Sequence, residues 1–185
     1  MKPRLPIEPN PWRTESSRQV YSNPWISVRE DQVVTPGGSP GIYGVVSARA
    51  ATGVVAIDDA GMVQLVGQYR YPTDMYSWEI VEGGADEGEP PIEAVQRELM
   101  EEAGLRAAQW EPLGGAIHLS NCYSSEVAHL FIARGLSPVD RAPDDTEQLQ
   151  LRRVSFADCL AMVDTGEITD ALSIIALLRA ARRGI

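Results

Sequence analysis

The chain has 185 residues, 44% hydrophobic and 23% charged, enough to bury a sizeable core in one domain or one domain with a small appendage. Its 26 acidic against 16 basic residues leave a net charge of −10, which argues against the basic footprint of a nucleic-acid or anionic-membrane binder. Cys122 and Cys159 have no second cysteine or histidine at metal-ligand spacing, which disfavours a disulfide framework and a zinc site. The proline-broken amino terminus has no signal-peptide core and the apolar stretch 171–180 is too short to span a bilayer, so a soluble cytoplasmic protein is expected.

Residues 1–16, interrupted by prolines and charges, are expected to be irregular. From Gln19 the chain turns β-branched and aromatic: Val20-Tyr21, then Trp25 to Val34, the turn signal Pro36-Gly37-Gly38-Ser39-Pro40-Gly41, and Ile42 to Val46 as a returning strand. This predicts an amino-terminal hairpin unit over 1–49, followed by a main domain over 50–185. Strands are expected at 53–57, 63–69 and 77–81, the last running into a glycine-rich loop. From Pro90 the apolar period lengthens to about 3.6, with Ile92, Val95 and Leu99 on one stripe. Pro90 and Pro91 suit its first turn and Gly104 its end. Strands near 110–117, 127–133 and 149–154 follow. Two helices close the chain, one capped by Ser155 and one by Thr169-Asp170 with Leu172, Ile175, Leu178 and Ala181 as its apolar face. This order predicts an α+β or layered α/β/α domain around a mixed sheet.

The segment from Gly83 to Leu105 carries seven carboxylates and one arginine, more than half of the net charge in 23 residues. On a helix Glu98, Glu101 and Glu102 fall at i, i+3 and i+4, so their carboxylates share one side and repel unless neutralised. Hard divalent cations take such oxygen ligands and also bind phosphate oxygens. Arg97 stands four residues from both Glu93 and Glu101 and can hold a carboxylate in place. Charge alone favours a solvated, glutamate-rich helix face.

The spacing is more specific than the charge. The segment fits Gly-x5-Glu-x7-Arg-Glu-U-x-Glu-Glu-x-Gly-U, with U aliphatic, at every specified position, a coincidence on the order of one in ten million at ordinary residue usage. This pattern resembles the signature of the Nudix hydrolases. The resemblance continues through the amino-terminal hairpin, the stretch Gln68-Tyr69-Arg70-Tyr71-Pro72 and the tail Gly166 to Ser173. Those features are similar to the branch that hydrolyses ADP-ribose and other nucleoside-diphosphate sugars.

The resemblance implies a Nudix-type α/β/α sandwich around a mixed sheet. It implies cleavage of the pyrophosphate of a nucleoside-diphosphate sugar of the ADP-ribose, ADP-glucose or GDP-mannose type, giving a nucleoside monophosphate and a sugar phosphate. The alternatives are hydrolysis of dinucleoside polyphosphates or nucleoside triphosphates, or a non-catalytic module that senses a nucleotide sugar. It implies two or three Mg²⁺ or Mn²⁺ ions on Glu98, Glu101 and Glu102, with the carbonyl of Glu82 as a further ligand; family members more often carry a small residue at that place. Gly83, Glu89 and Gly104 are the structural positions of the box, and Arg97 pairs with Glu89 to orient the helix. Trp25 is implied to stack on the base, Arg70 to meet a phosphate, and Ser120 and Glu126 to contact substrate and metal. The catalytic base is implied among Glu101, Glu126, Asp145 and Glu147. Positions 120 and 121 are serine and asparagine, where ADP-ribose enzymes commonly have a proline, which leaves the base and sugar open. A homodimer with exchanged amino-terminal units is implied as well.

Overall fold

The computed structural model describes residues 8–141 and 148–185, which fall into two compact units. The first ends at Ala48 and also includes Leu119–Glu126; the second comprises Arg49–His118 and Val127–Ile185.

The first unit is an antiparallel sheet of three strands in the order β1 (Arg13–Ser22), β2 (Ile26–Val34), β3 (Pro40–Ala48). Asn23 turns β1 into β2, its side-chain oxygen accepting from the Trp25 and Ile26 backbone N–H groups at 2.9 and 2.8 Å. Gly38, at φ +86°, makes the second reversal. The sequence predicts irregular chain to residue 16, but β1 begins at Arg13, so the unit has a third strand. Every residue of β1 is exposed, so no alternation of apolar side chains announces it. Backbone pairing with β2 from Arg13↔Val34 onward defines it instead.

The second unit is built on a mixed sheet in the order β10-β5-β6-β4-β9-β7, with the short β8 also on β9. The strands are β4 (Ala51–Ala56), β5 (Met62–Arg70), β6 (Met75–Gly84), β7 (Leu105–Pro112), β8 (Ile117–His118), β9 (Val127–Pro138) and β10 (Gln150–Ser155). β4 and β9 run parallel and the other pairs antiparallel. Helix α1 (Pro91–Ala103) packs against β4, β6 and β7; α3 (Ala171–Ala181) packs against β4, β6 and β9; α2 (Phe156–Thr165) packs against β5, β10 and α3. This is the expected α/β/α arrangement.

Val95, Leu99 and Ala103 on one stripe of α1 meet Val54, Ala56, Val66, Val81, Phe131 and Ala133 in one core cluster. Gly104 ends the helix at φ 63°, and its N–H returns to the carbonyls of the last turn. That left-handed residue lets β7 start at once, at Leu105 rather than near Trp110 as expected.

Two details place the functional residues. β4 and β6 pair only from Ala51↔Gly84 to Val54↔Val81. Beyond that, the Ile80 N–H donates to the hydroxyl of fully buried Ser173 at 3.0 Å, so the first turn of α3 is docked against β6. Asp170 caps that turn, accepting from Ser173 N at 2.7 Å. The buried face of α3 is therefore Leu172, Ser173, Ala176, Leu177 and Ala180. The expected stripe through Ile175 and Leu178 is displaced by one position, and Leu178 is exposed. Small residues at 173, 176 and 180 allow the helix to lie close to the sheet, which an apolarity count does not reveal.

Replacing Leu99 by Ala is expected to cost about 2–5 kcal/mol in urea unfolding, whereas Leu178→Ala is expected to change stability by less than about 1 kcal/mol. Equal costs would contradict this assignment of helix faces.

Candidate active site

The acidic box is folded around one guanidinium. Arg97, on α1, donates from Nε and Nη2 to the two oxygens of Glu89 at 3.2 and 3.0 Å. Its Nη1 donates to Glu98 at 2.8 Å and Glu101 at 3.0 Å, and Nη2 also reaches the Gly84 carbonyl at 3.0 Å. The hydrogen bond to Glu89 raises the Arg97 pKa, partial burial works against it, and Glu98 and Glu101 raise it further. Glu89 sits just ahead of the helix and also accepts from Asp86 N at 2.8 Å, closing the loop that enters α1. Arg97 and that backbone contact together hold the Glu89 carboxyl below its ordinary range. Helix α1 has no side-chain cap of the usual kind, and its first turn opens on Pro90 and Pro91.

The box carboxylates differ in their surroundings. Glu101 is partly exposed, Glu98 is largely covered, and Glu102 is 2% exposed. Glu102 accepts from the backbone N–H of Glu82 at a long 3.4 Å. Glu98 lies against Gly83 so closely that a Cβ there would stand 2.2 Å from its carboxyl carbon. A side chain at 83 would force that carboxylate to move, which gives the glycine of the box a steric role.

A second arginine stands at the end of β5. Arg70 donates from Nε to both oxygens of Glu79 at 2.9 and 3.1 Å and from Nη2 to Glu79 and, at 2.7 Å, to Glu82. Burial opposes the Arg70 charge, but Glu79 and then Glu82 and Asp170 outweigh it, so its pKa is raised. Glu79 is 1% exposed. Glu82 Oε2 is buried with no hydrogen-bond partner among the described residues. Burial, with the charges of Asp170 and Glu79, pushes the Glu82 carboxyl well up, against the pull of Arg70.

Among the described residues, no three His, Cys, Asp or Glu side chains form a ready-made cation cage, since Arg97 holds both Glu98 and Glu101. The donor set nevertheless fits a hard divalent cation. It consists of oxygens, it includes the buried Glu102, and Gly83 provides a cradle that a Cβ would fill. Glu98, Glu101 and Glu102 are the side chains that could hold such an ion, with the Glu82 carbonyl beside them.

Of the residues expected from sequence, Arg70, Glu82, Gly83, Glu89, Arg97, Glu98, Glu101, Glu102 and Gly104 lie together in the second unit. Trp25, Ser120 and Glu126 belong to the first unit. There Trp25 is 69% exposed, Ser120 adopts a left-handed φ of 48°, and burial raises the Glu126 carboxyl. Asp145 and Glu147 lie outside the described residues. The sequence reading missed Glu79 and the electrostatic part of Asp170. The first carried a signal, a charged residue inside the apolar run Ser77-Trp78-Glu79-Ile80-Val81.

Comparison with known proteins agrees with this geometry. Residues 47–173 match the model of the NUDIX domain. The chain belongs to the Nudix family. Residues 12–46 of this Nudix protein match the nucleoside diphosphate sugar hydrolase N-terminal domain. It is 32% identical over 170 residues to an ADP-ribose pyrophosphatase of Mycobacterium tuberculosis, covering 90% of this chain and 82% of the relative. It is 29% identical to an ADP-ribose pyrophosphatase of Bacillus subtilis, covering 89% and 90%. The crystal structure of an ADP compounds hydrolase superposes with a TM-score of 0.83 at 23% identity, covering 93% of each chain, which supports the fold.

Gly83→Ala is expected to displace the Glu98 carboxylate while leaving the core intact. Mn²⁺ affinity, read by electron paramagnetic resonance, should fall roughly tenfold or more. Unaltered affinity would remove Glu98 from the candidate metal site. Because Glu89 is depressed below its ordinary value of 4.5, its pairing with Arg97 stabilises the fold above that pH and is lost as the pH falls through the folded value. Arg97→Gln should flatten this acid limb in stability measured against pH.

Proposed function

We propose that this Nudix protein hydrolyses the pyrophosphate bond of nucleoside-diphosphate sugars, releasing a nucleoside monophosphate and a sugar phosphate. The observation that carries the reading is the intact box on α1, with Glu98, Glu101 and buried Glu102 organised by Arg97. The amino-terminal match to a nucleoside diphosphate sugar hydrolase domain and the pyrophosphatase relatives support this class of substrate.

Nudix hydrolases act with divalent cations, and we assign Mg²⁺ or Mn²⁺, two or three ions, to Glu98, Glu101, Glu102 and the Glu82 carbonyl. When bound there, such ions neutralise the diphosphate and activate the attacking water. Arg97 sets the geometry: it fixes Glu98 and Glu101 and ties the helix to the Gly84 carbonyl, so the carboxylates are held in position before substrate arrives. Glu101, the most exposed of the three, is one candidate to take the water's proton. Glu126 is another, because burial raises its basicity; Asp145 and Glu147 complete the set. Arg70 contributes the cation for a substrate phosphate; its Nε and Nη2 are taken by Glu79 and Glu82, and its Nη1 has no hydrogen bond among the described residues.

The amino-terminal unit is assigned to base binding and dimerisation, with Trp25 stacking on the base and Ser120 and Glu126 contacting substrate. Its exposed Val20, Tyr21, Trp25 and Ile42 supply the apolar surface that subunit exchange would cover. A cytoplasmic location belongs to the same reading; among the described residues no helix is long and apolar enough to cross a membrane.

Incubation with Mg²⁺ and ADP-ribose, ADP-glucose, GDP-mannose, diadenosine polyphosphates and nucleoside triphosphates, with products separated by chromatography, tests the reaction. Monophosphate plus sugar phosphate is expected; turnover confined to triphosphates or dinucleotides would overturn the substrate class. Glu102→Gln should lower turnover by roughly two to four orders of magnitude with the far-UV spectrum unchanged. Light scattering at micromolar concentration is expected to give a dimer, and a clean monomer would reject the exchanged unit.

A further inference from the structure

The two arginines of the site are occupied to different degrees. Arg97 uses Nε, Nη1 and Nη2, so it serves the protein's own carboxylates. Arg70 is anchored chiefly by Glu79, which accepts from both Nε and Nη2 and is itself almost wholly buried. That pairing alone fixes the guanidinium plane, because two parallel donors on one carboxylate leave little rotation. The additional hydrogen bond from Nη2 to Glu82 Oε1, at 2.7 Å, is therefore not needed to orient Arg70.

Glu82 is poorly accommodated for a structural ion-pair partner. Its side chain is 9% exposed, and Oε2 is buried with no hydrogen-bond partner among the described residues. A carboxylate kept in this condition costs stability rather than adding to it. Arg70 is paired with both Glu79 and Glu82, and Asp170 at the head of α3 adds its negative charge to the same corner. An arriving diphosphate meets an arginine whose Nη2 is already shared.

We propose that the Glu82 side chain is an affinity-setting residue that competes with the substrate diphosphate for Arg70. It restrains binding of nucleoside diphosphates at this site by holding the Nη2 donor that a phosphate oxygen would otherwise take. This role is separate from the backbone carbonyl of the same residue, and it rests on the assignment of Arg70 to a substrate phosphate.

The test measures binding without metal and without turnover. Isothermal titration calorimetry in excess EDTA would give dissociation constants for ADP-ribose with the native protein, Glu82→Ala, Glu82→Gln and Arg70→Gln. Glu82→Ala is expected to bind ADP-ribose about tenfold more tightly, because an N–H donor to a charged ligand is freed. With Mg²⁺ present, KM should fall by a larger factor than any change in kcat. Melting temperature should be unchanged or raised. Unchanged or weaker binding in Glu82→Ala, where Arg70→Gln weakens binding, would overturn the proposal and leave Glu82 as a buttress of Arg70. A marked loss of melting temperature in both Glu82 variants would overturn it in the same way. If Arg70→Gln binds ADP-ribose as tightly as the native protein, the assignment of Arg70 to a phosphate fails instead.

Discussion

The organisation of this site depends on Arg97. Three glutamates within five residues on one side of a helix repel each other, and α1 has no basic residue in its last turn to offset them. A single planar guanidinium solves the problem by reaching Glu98 and Glu101 on its own helix, Glu89 ahead of it and the Gly84 carbonyl on β6. It thus joins helix, loop and strand with one side chain, and a lysine could not do so because it lacks the planar fork. The loop entering α1 then needs little else: Asp86 and Glu89 close it through two backbone contacts, and Arg49 holds Asp86 at 2.7 Å.

Around this hub, steric and electrostatic constraints are of comparable weight. Gly83 leaves the Glu98 carboxylate in the space a Cβ would fill, so a side chain there would displace it. Gly104 is required because α1 must stop in a left-handed conformation for β7 to begin at once. Ser173 closes the gap where β4 and β6 separate, and in doing so sets Asp170 beside the Arg70 group. A hydroxyl fully buried in a helix face is costly unless bonded, and here it satisfies a strand N–H that no neighbouring strand takes. The acidity of the box is held by Arg97, and Glu89, Glu98 and Glu102 are largely covered rather than solvated. The segment is therefore not simply a solvated, glutamate-rich helix face.

Much of the fold was legible because local signals agreed with it. Pro91 and Gly104 bracket α1, Ser155 and Asp170 cap α2 and α3, and the apolar runs of β4, β5 and β6 are buried as their composition suggests. The failures have common causes. β1 is entirely exposed, so pairing alone defines its first residues. The buried face of α3 is chosen by close approach to the sheet, which favours Ser173, Ala176 and Ala180 over the larger Ile175 and Leu178. A lone acid in a strand, Glu79 has the character of a surface residue in the sequence, and only its partner nine positions away explains its burial.

By itself the sequence determined the chemistry available at the site: the residue types, their helical spacing, and the glycines at positions where side chains do not fit. Spacing along one helix is a local property, and the helix geometry converts it directly into a shared face. Only the tertiary structure decided which carboxylates are buried, which are neutralised and which arginine has an N–H in reserve. Those are properties of pairs from different elements, here β5 with β6 and α1 with the loop before it. The dielectric and the partner of a charge depend on what the fold packs beside it, and no period in the chain encodes that.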